Sequence, residues 1–465
     1  MRRRSKYLLS VVVFLHFGCL AQDTAFTLSK DEFLSIVKTH HPVVKQAQLS
    51  VDRASADVQA ARGAFDPTID AGLDRKTFDG KLYYSYLNPQ VTIPTWYGID
   101  IKAGLEEVVG DRVTSEATLG KTSYVGVKVP ATNLLFDRRR AALRQAQSFR
   151  QMSEAERLLT INDLLYDALS AYWNWVREYL TYNVISNTVR VNEERLKYVK
   201  LEYEQGVRAA IDTTEVLAQL QNMYLQQNNA WLSFQNAGLE LSNHMWLKNN
   251  IAMEWTDNIL PSEAELYRDN ILPSLEELIA TARINHPKLQ SLSFKTDALE
   301  TERRLKAQYL LPKLSVNANL LNRGYTVPDE LTVPFMENNY KLGIDLSMPL
   351  LLREARGNYR SAGIKLQEIA LEQDQVALQI ENKIKSYYNE VLQLNKQISI
   401  YQEAFNNYQK LLQGENIRFE AGESTLFLLN SRENKVLEAA QKLYELRTKW
   451  HKSYAGLLWA AGRLY

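Results

Sequence analysis

Apolar and aromatic residues recur at every seventh position from Ile161 through Ala168, Trp175, Tyr182, Val189 and Leu196 to Tyr203. The same step from Ala377 meets Ile384, Val391, Ile398, Phe405, Leu412 and Phe419, each 216 positions after its counterpart. A stripe held over so many heptads predicts a helix that packs along its whole length in coiled-coil fashion. The spacing predicts one such helix over about 137–203 and a second over about 354–419. At roughly 66 residues each, they would reach on the order of 100 Å.

Each stripe runs into a glycine, Gly206 or Gly422, again 216 positions apart. A glycine there suits a left-handed helix C-cap. A returning helix follows each: Leu220, Phe234 and Leu241 with Leu217, Tyr224 and Trp231 mark 213–248, and Val436, Leu443, Trp450 and Leu457 mark 426–462. Upstream, His41-Pro42 recurs as His286-Pro287 and Pro67 as Pro312, both 245 positions later. Each histidine-proline pair lies in a predicted helical stretch, 29–63 or 275–308. Each later proline opens a segment of period two, a strand signal. Val125–Pro130 and Ile344–Pro349 also alternate and stop at a proline, 219 positions apart.

The chain is therefore a tandem repeat of helix, strand, strand, helix. It reads as a first copy at 22–250, a linker at 251–274 and a second copy at 275–465. The drop in offset from 245 to 219 places about 26 extra residues between the strands of the first copy. Helices flank both strand pairs, so the strands of each copy must cross a membrane an even number of times. The second copy offers strands near 312–323 and 339–349, joined by a loop with Pro328 and Pro334. The first offers three candidates, 67–78, 96–108 and 118–130, one of which cannot be a complete crossing.

Two crossings per copy make four strands per chain, too few for a barrel, since the smallest outer-membrane barrels have eight. The free edges must then pair with other copies. Tyr83, Tyr84, Tyr86, Trp96 and Tyr97, with Tyr325, Phe335 and Tyr340, are candidates for interfacial aromatic girdles.

The first 21 residues read as a secretory signal peptide: Arg2, Arg3, Arg4 and Lys6 precede an apolar run from Tyr7 to Phe17, with cleavage expected before Gln22. Cys19 raises a lipoprotein alternative, but His16-Phe17-Gly18 makes a poor lipobox. Without that segment the chain carries a formal net charge of −3 and no cysteine. Disulfides and thiolate metal sites are then excluded, and nothing points to a nucleic-acid partner. No later stretch is long and apolar enough for a transmembrane helix. His40, His41, His244, His286 and His451 fall in no metal-ligand spacing, and no phosphate-binding loop or nucleophile elbow is present. The chain reads as a non-enzyme without cofactor or metal.

In this order and twice over, the histidine-proline pairs, the prolines at 67, 312, 130 and 349, and the turns Tyr203-Glu204-Gln205-Gly206 and Phe419-Glu420-Ala421-Gly422 resemble the TolC-like outer-membrane efflux family. The resemblance implies a mainly α-helical homotrimer with a small β part. Each chain would give four strands to one twelve-stranded barrel and long or stacked helices to a periplasmic tunnel. It also implies an outer-membrane channel that passively conducts substrates for an inner-membrane transporter and a periplasmic adaptor, in tripartite efflux or type I secretion. The matching tips, which in that family close the entrance and meet the adaptor, contain Gly206, Arg208 and Asp212 in one turn and Arg418, Gly422 and Glu423 in the other. Asp212, Glu420 and Glu423 could form acidic rings, or close the pore through bonds to Arg208 or Arg418; ordinary solvated charge is the plainer reading. The rival from another class is a periplasmic coiled-coil scaffold, which explains the heptads but not the strands between them.

Overall fold

In the computed structural model, residues 26–114, 117–130, 134, 136–268, 271–325 and 339–465 are described. The expected signal peptide, Cys19, Pro328, Pro334 and Phe335 lie outside them. Helices α1 (Lys30–His40) and α2 (Pro42–Arg62) lead into strands β2 (Thr68–Phe78), β3 (Lys81–Pro94), β4 (Asp100–Val109) and β5 (Gly120–Pro130). Then come α3 (Arg138–Glu204) and α4 (Ala210–Ser242). The second half repeats the plan with α5 (Leu275–Asn285), α6 (Pro287–Gln308), β9 (Lys313–Arg323), β10 (Tyr340–Ser347), α7 (Arg353–Glu420) and α8 (Leu426–Ala460). Short strands β1 (Phe26–Leu28), β6 (Trp246–Leu247), β7 (Ile251–Ala252) and β8 (Ile259–Pro261) and three short 3-10 helices accompany them.

The heptad stripes produce the two long helices as expected, 67 and 68 residues long. Ile161, Ala168, Trp175 and Val189 are buried on α3, and Ile384 and Val391 on α7. Shorter helices cover successive segments of each rod. On α3, α2 lies beside Arg144–Glu154, while Tyr224 and Gln227 of α4 bond Glu193 and Ser186. On α7, Lys365 pairs with Glu302 of α6, and Gln402 accepts from Arg447 of α8.

The histidine-proline pairs break each predicted helical stretch in two. His41 and His286 are extended N-caps whose Nδ1 accepts the backbone N–H two residues on, at 3.2 and 3.1 Å. The following proline takes the first helical position, where a missing N–H costs nothing. Both caps need a neutral Nδ1, and burial favours it: the His286 imidazole is pushed down to about 4, and His41 is lowered by burial and by the neighbouring His244.

The largest core lies midway along α3, where Tyr172 and Trp175 are fully buried. Here the linker is strapped to the rod. Strand β1 pairs in parallel with β8, the Tyr172 hydroxyl donates to the Leu28 carbonyl (3.1 Å) or to Glu265 (2.8 Å), and Trp173 stacks on His451 at 3.9 Å. Burial and the Glu265 carboxylate raise the Tyr172 phenol well above its usual range, so it stays a donor.

The strand count corrects the expectation. Among the described residues six strands, not four, form one antiparallel sheet in the order β10-β9-β5-β4-β3-β2. All three candidates of the first copy are complete strands. The missing fourth is β3, which restores an even number. It was hidden by Pro89, a poor strand residue because it lacks a ladder donor; opposite it, the β3–β4 pairing skips Asn88 and Pro89. The extra residues of the first copy thus form the hairpin β3–β4, inserted between β2 and β5.

Candidate channel wall and periplasmic tips

Register decides the character of the sheet, because residues paired across an antiparallel ladder share a face. One row of partners reads Ile69, Val91, Ala103, Val125, Leu320, Tyr340 across all six strands. An adjacent row on the opposite face reads Thr68, Thr92, Lys102, Gly126, Asn319, Lys341. The alternation holds along the strands: Leu73, Leu87, Ile93, Ile101, Leu105, Val127, Leu342, Ile344 and Leu346 fall on the apolar face and are all solvent-exposed in the single chain. A wide exposed apolar sheet face opposite a polar one is the pattern of a membrane barrel wall, with lipid outside and water within. Among the described residues no helix is long and apolar enough to cross a membrane.

The polar face is stitched together by side chains. The Tyr124 hydroxyl of β5 crosses β4 to donate to Asn88 (3.2 Å) or Gln90 (3.1 Å) of β3. It can do so because residue 104 is glycine; a Cβ there would lie 2.5 Å from the Tyr124 Oη. Tyr86 donates to Glu106 at 3.1 Å, and these two, with Asp74, Tyr84 and Lys341, line a cavity of about 380 Å³. Tyr84 and Tyr86 are therefore polar-face residues rather than girdle residues, as their pairing with Lys76 and Asp74 requires. Trp96 packs at a tilt against Phe65 at the helical end of the sheet, whereas Tyr325 and Tyr340 lie at the far end.

Where the sheet meets the rods, Asp137 caps α3 by accepting the Arg140 N–H at 2.9 Å. Its carboxylate also takes the Arg139 and Arg140 guanidinium groups, and Arg139 reaches Asp100 of β4 at 2.8 Å. Burial raises the Asp137 pKa most among the single effects, yet the hydrogen bonds and charges of both arginines together hold it below the ordinary value. Arg139, held by Asp137 on one side and Asp100 on the other, thus ties rod to sheet.

At the opposite end Gly206 and Gly422 have φ of 75° and 79°. Each closes its helix with the same pair of bonds: Gly206 N–H to Tyr203 O and Val207 N–H to Glu202 O, and Gly422 N–H to Phe419 O and Glu423 N–H to Arg418 O. These are Schellman caps, and a Cβ would strain the left-handed backbone. The two turns pack on one cluster of Val199, Val216 and Leu426 with Leu196 and Phe419. Arg208 spans them, paired with Glu202 and seated 4.2 Å from the Phe419 ring centroid. Arg418 donates to the Glu423 carbonyl at 3.4 Å rather than to its carboxylate. Within one chain, then, Arg208 is engaged by Glu202 and Phe419; Asp212 and Glu423 are not its ion-pair partners.

Sequence reasoning missed the buried polar link just above the tips. Arg195 grips Glu433 with two contacts of 3.0 Å, Asn192 donates to the same carboxylate at 2.8 Å, and Arg195 also reaches Asn192 (3.0 Å) and Asn430 (3.4 Å). Asn192 interrupts the apolar positions beside Val189 and Leu196, the one signal available. Nearby, the buried Glu415 is bonded by Ser424 and Arg432. Among the described residues no cluster of potential ligands could hold a metal ion.

The family model described as outer membrane efflux protein matches residues 34–245 and 278–463. No curated protein sequence matches the chain. Solved structures do: the CmeC outer membrane channel of Campylobacter jejuni (14% identity, 93% of this chain and 85% of that one, TM-score 0.63) and VceC of Vibrio cholerae (14%, 93% and 95%, 0.64). The open-state MtrE outer membrane channel of Neisseria gonorrhoeae matches at 13% identity over 99% of this chain and 97% of its own, with a TM-score of 0.65. At such identities these structures support the fold. The family match spans most of the chain and names efflux proteins, not enzymes, and the two-faced sheet supplies the membrane wall that a scaffold would lack. The chain belongs to the outer membrane efflux protein family and is an outer-membrane efflux channel.

Proposed function

We propose that three copies form the channel, that the rods extend into the periplasm as a tunnel, and that the tips at Gly206, Arg208, Asp212, Arg418, Gly422 and Glu423 form the entrance. There they meet a periplasmic adaptor working with an inner-membrane transporter. The channel conducts passively, and the transporter selects the cargo.

The observation that carries this reading is the pair of uncovered flanks. Towards the tips the helices lie in the order α4, α3, α8, α7; towards the sheet α2, α3, α6, α7. Outermost helices α4 and α7 carry exposed heptad ladders, Leu225, Leu232 and Leu239 on one, Ile364, Leu371, Leu378 and Leu392 on the other. Such stripes are normally buried by a partner helix. Because the flanks differ, each copy offers one to the next, the head-to-tail arrangement that closes rings.

The test is recovery from outer-membrane fractions with heat-modifiable migration on gels, native mass spectrometry of the detergent-extracted protein, and photo-crosslinking from positions 212 and 423. Threefold mass and tip crosslinks to an adaptor are expected. Release by osmotic shock as a soluble monomer would sink the proposal.

A further inference from the structure

We infer that the barrel closed by three copies has eighteen strands rather than twelve, with β2 of each copy pairing to β10 of the next copy of this chain. The inference rests on the threefold association proposed above and adds to it the composition of the wall.

Three observations place the hairpin β3–β4 inside that wall. First, it is not appended to an edge. It lies between β2 and β5 and is hydrogen-bonded to both, so expelling it would break the β2–β3 and β4–β5 ladders at once. Second, its two faces stay in phase with the other four strands: Val91 and Ala103 continue the apolar row, and Thr92 and Lys102 the polar one. A hairpin lying in the loops outside the membrane has no physical need for that phase. Third, Tyr124 reaches over Gly104 to Asn88 and Gln90, which binds β5 to the hairpin on the polar face.

The free edges name their occupant. Strand β2 is exposed along its length and β10 nearly so, and among the described residues neither is paired on its outer side. Such edges are templates for another strand. β2 runs away from the helices and β10 runs back, so β10 of a neighbouring copy arrives antiparallel to β2, as an even-stranded barrel requires. β2 continues from α2 and β10 leads into α7, the same flanks that the helical ladders leave open. One neighbouring copy can therefore cover the helical and strand edges together. Barrel diameter grows roughly in proportion to strand number, so the ring is about 1.5 times as wide as a twelve-stranded one.

The deciding experiment is electron cryo-microscopy of the full-chain protein extracted from the outer membrane, with disulfide trapping alongside. No cysteine follows Cys19, so added pairs report cleanly. Eighteen wall strands are expected. Oxidation of Gly72→Cys or Asp74→Cys paired with Gly343→Cys or Asp345→Cys should give covalently linked chains. A threefold particle with twelve wall strands, or an intrachain disulfide between Gly72→Cys and Lys128→Cys that brings β2 beside β5, overturns the inference while leaving the trimer standing. A particle without threefold symmetry overturns the trimer reading itself.

Discussion

Replacing Glu433 by alanine strips the counter-charge from Arg195 in the seam between α3 and α8. The two side chains are only 11% and 8% exposed, so water cannot replace the lost carboxylate. Removing one member of a buried pair costs about 3–5 kcal/mol. The Asn192 and Asn430 oxygens still accept from Arg195, which puts Glu433→Ala near the lower end, about 3 kcal/mol. Removing both charges, as Arg195→Met with Glu433→Leu, leaves no unpaired charge but deprives the Asn192 and Asn430 amides of their charged partners, so it should cost roughly 2 kcal/mol less than the single variant. Hydrogen exchange of the α3 amides around 189–199 reads this locally, without reversible unfolding of the assembly. Exchange should quicken on the order of a hundredfold in the single variant and recover most of that in the double. Planar-bilayer recordings should show longer open times in the single variant if the link holds the tips closed. Equal exchange in all three proteins would refute the assignment of Arg195 and Glu433 as the link between the two hairpins.

Acid should weaken the second histidine cap. The folded-state His286 pKa lies near 4, below its 6.5 reference, so its contribution is whole above about pH 6.5 and declines as pH falls towards 4. About 2 kcal/mol is lost at pH 5, read as lower melting temperature, and His286→Asn, which keeps an acceptor at the cap, should flatten that dependence. Gly206→Ala and Gly422→Ala each force a left-handed alanine and should cost about 1–2 kcal/mol, seen as faster exchange at the tips, with no change in the barrel. Arginine in place of Leu342 on the apolar face should cost about 2–4 kcal/mol and reduce heat-modifiable protein in the outer membrane, whereas Lys102→Gln on the polar face should assemble normally. Asp212→Ala and Glu423→Ala should lower cation selectivity in planar bilayers; unchanged selectivity in both would remove the acidic entrance.

Local periodicity determined much of this protein. A heptad stripe is a property of the chain, so both rods, their ends at Gly206 and Gly422, the histidine-proline breaks and the duplication could be read directly from residue types. Strands β2, β4, β5, β9 and β10 were legible because a proline boundary or a clean alternation marked them. β3 was not: Asn88, Pro89 and Gln90 interrupt its pattern, and only its hydrogen-bonded neighbours make it a strand. Tyr84 and Tyr86 show the same limit, since which face an aromatic takes depends on the register of its partner strand. Arg195 and Glu433 stand 238 positions apart, a distance across which no sequence period operates. Their union, and the capture of Arg208 by Glu202 and Phe419 instead of by Asp212 or Glu423, were decided by how the two copies pack. Residue chemistry set the elements; tertiary contacts selected which charges meet, because pairing depends on positions in space that the spacing along a chain does not specify.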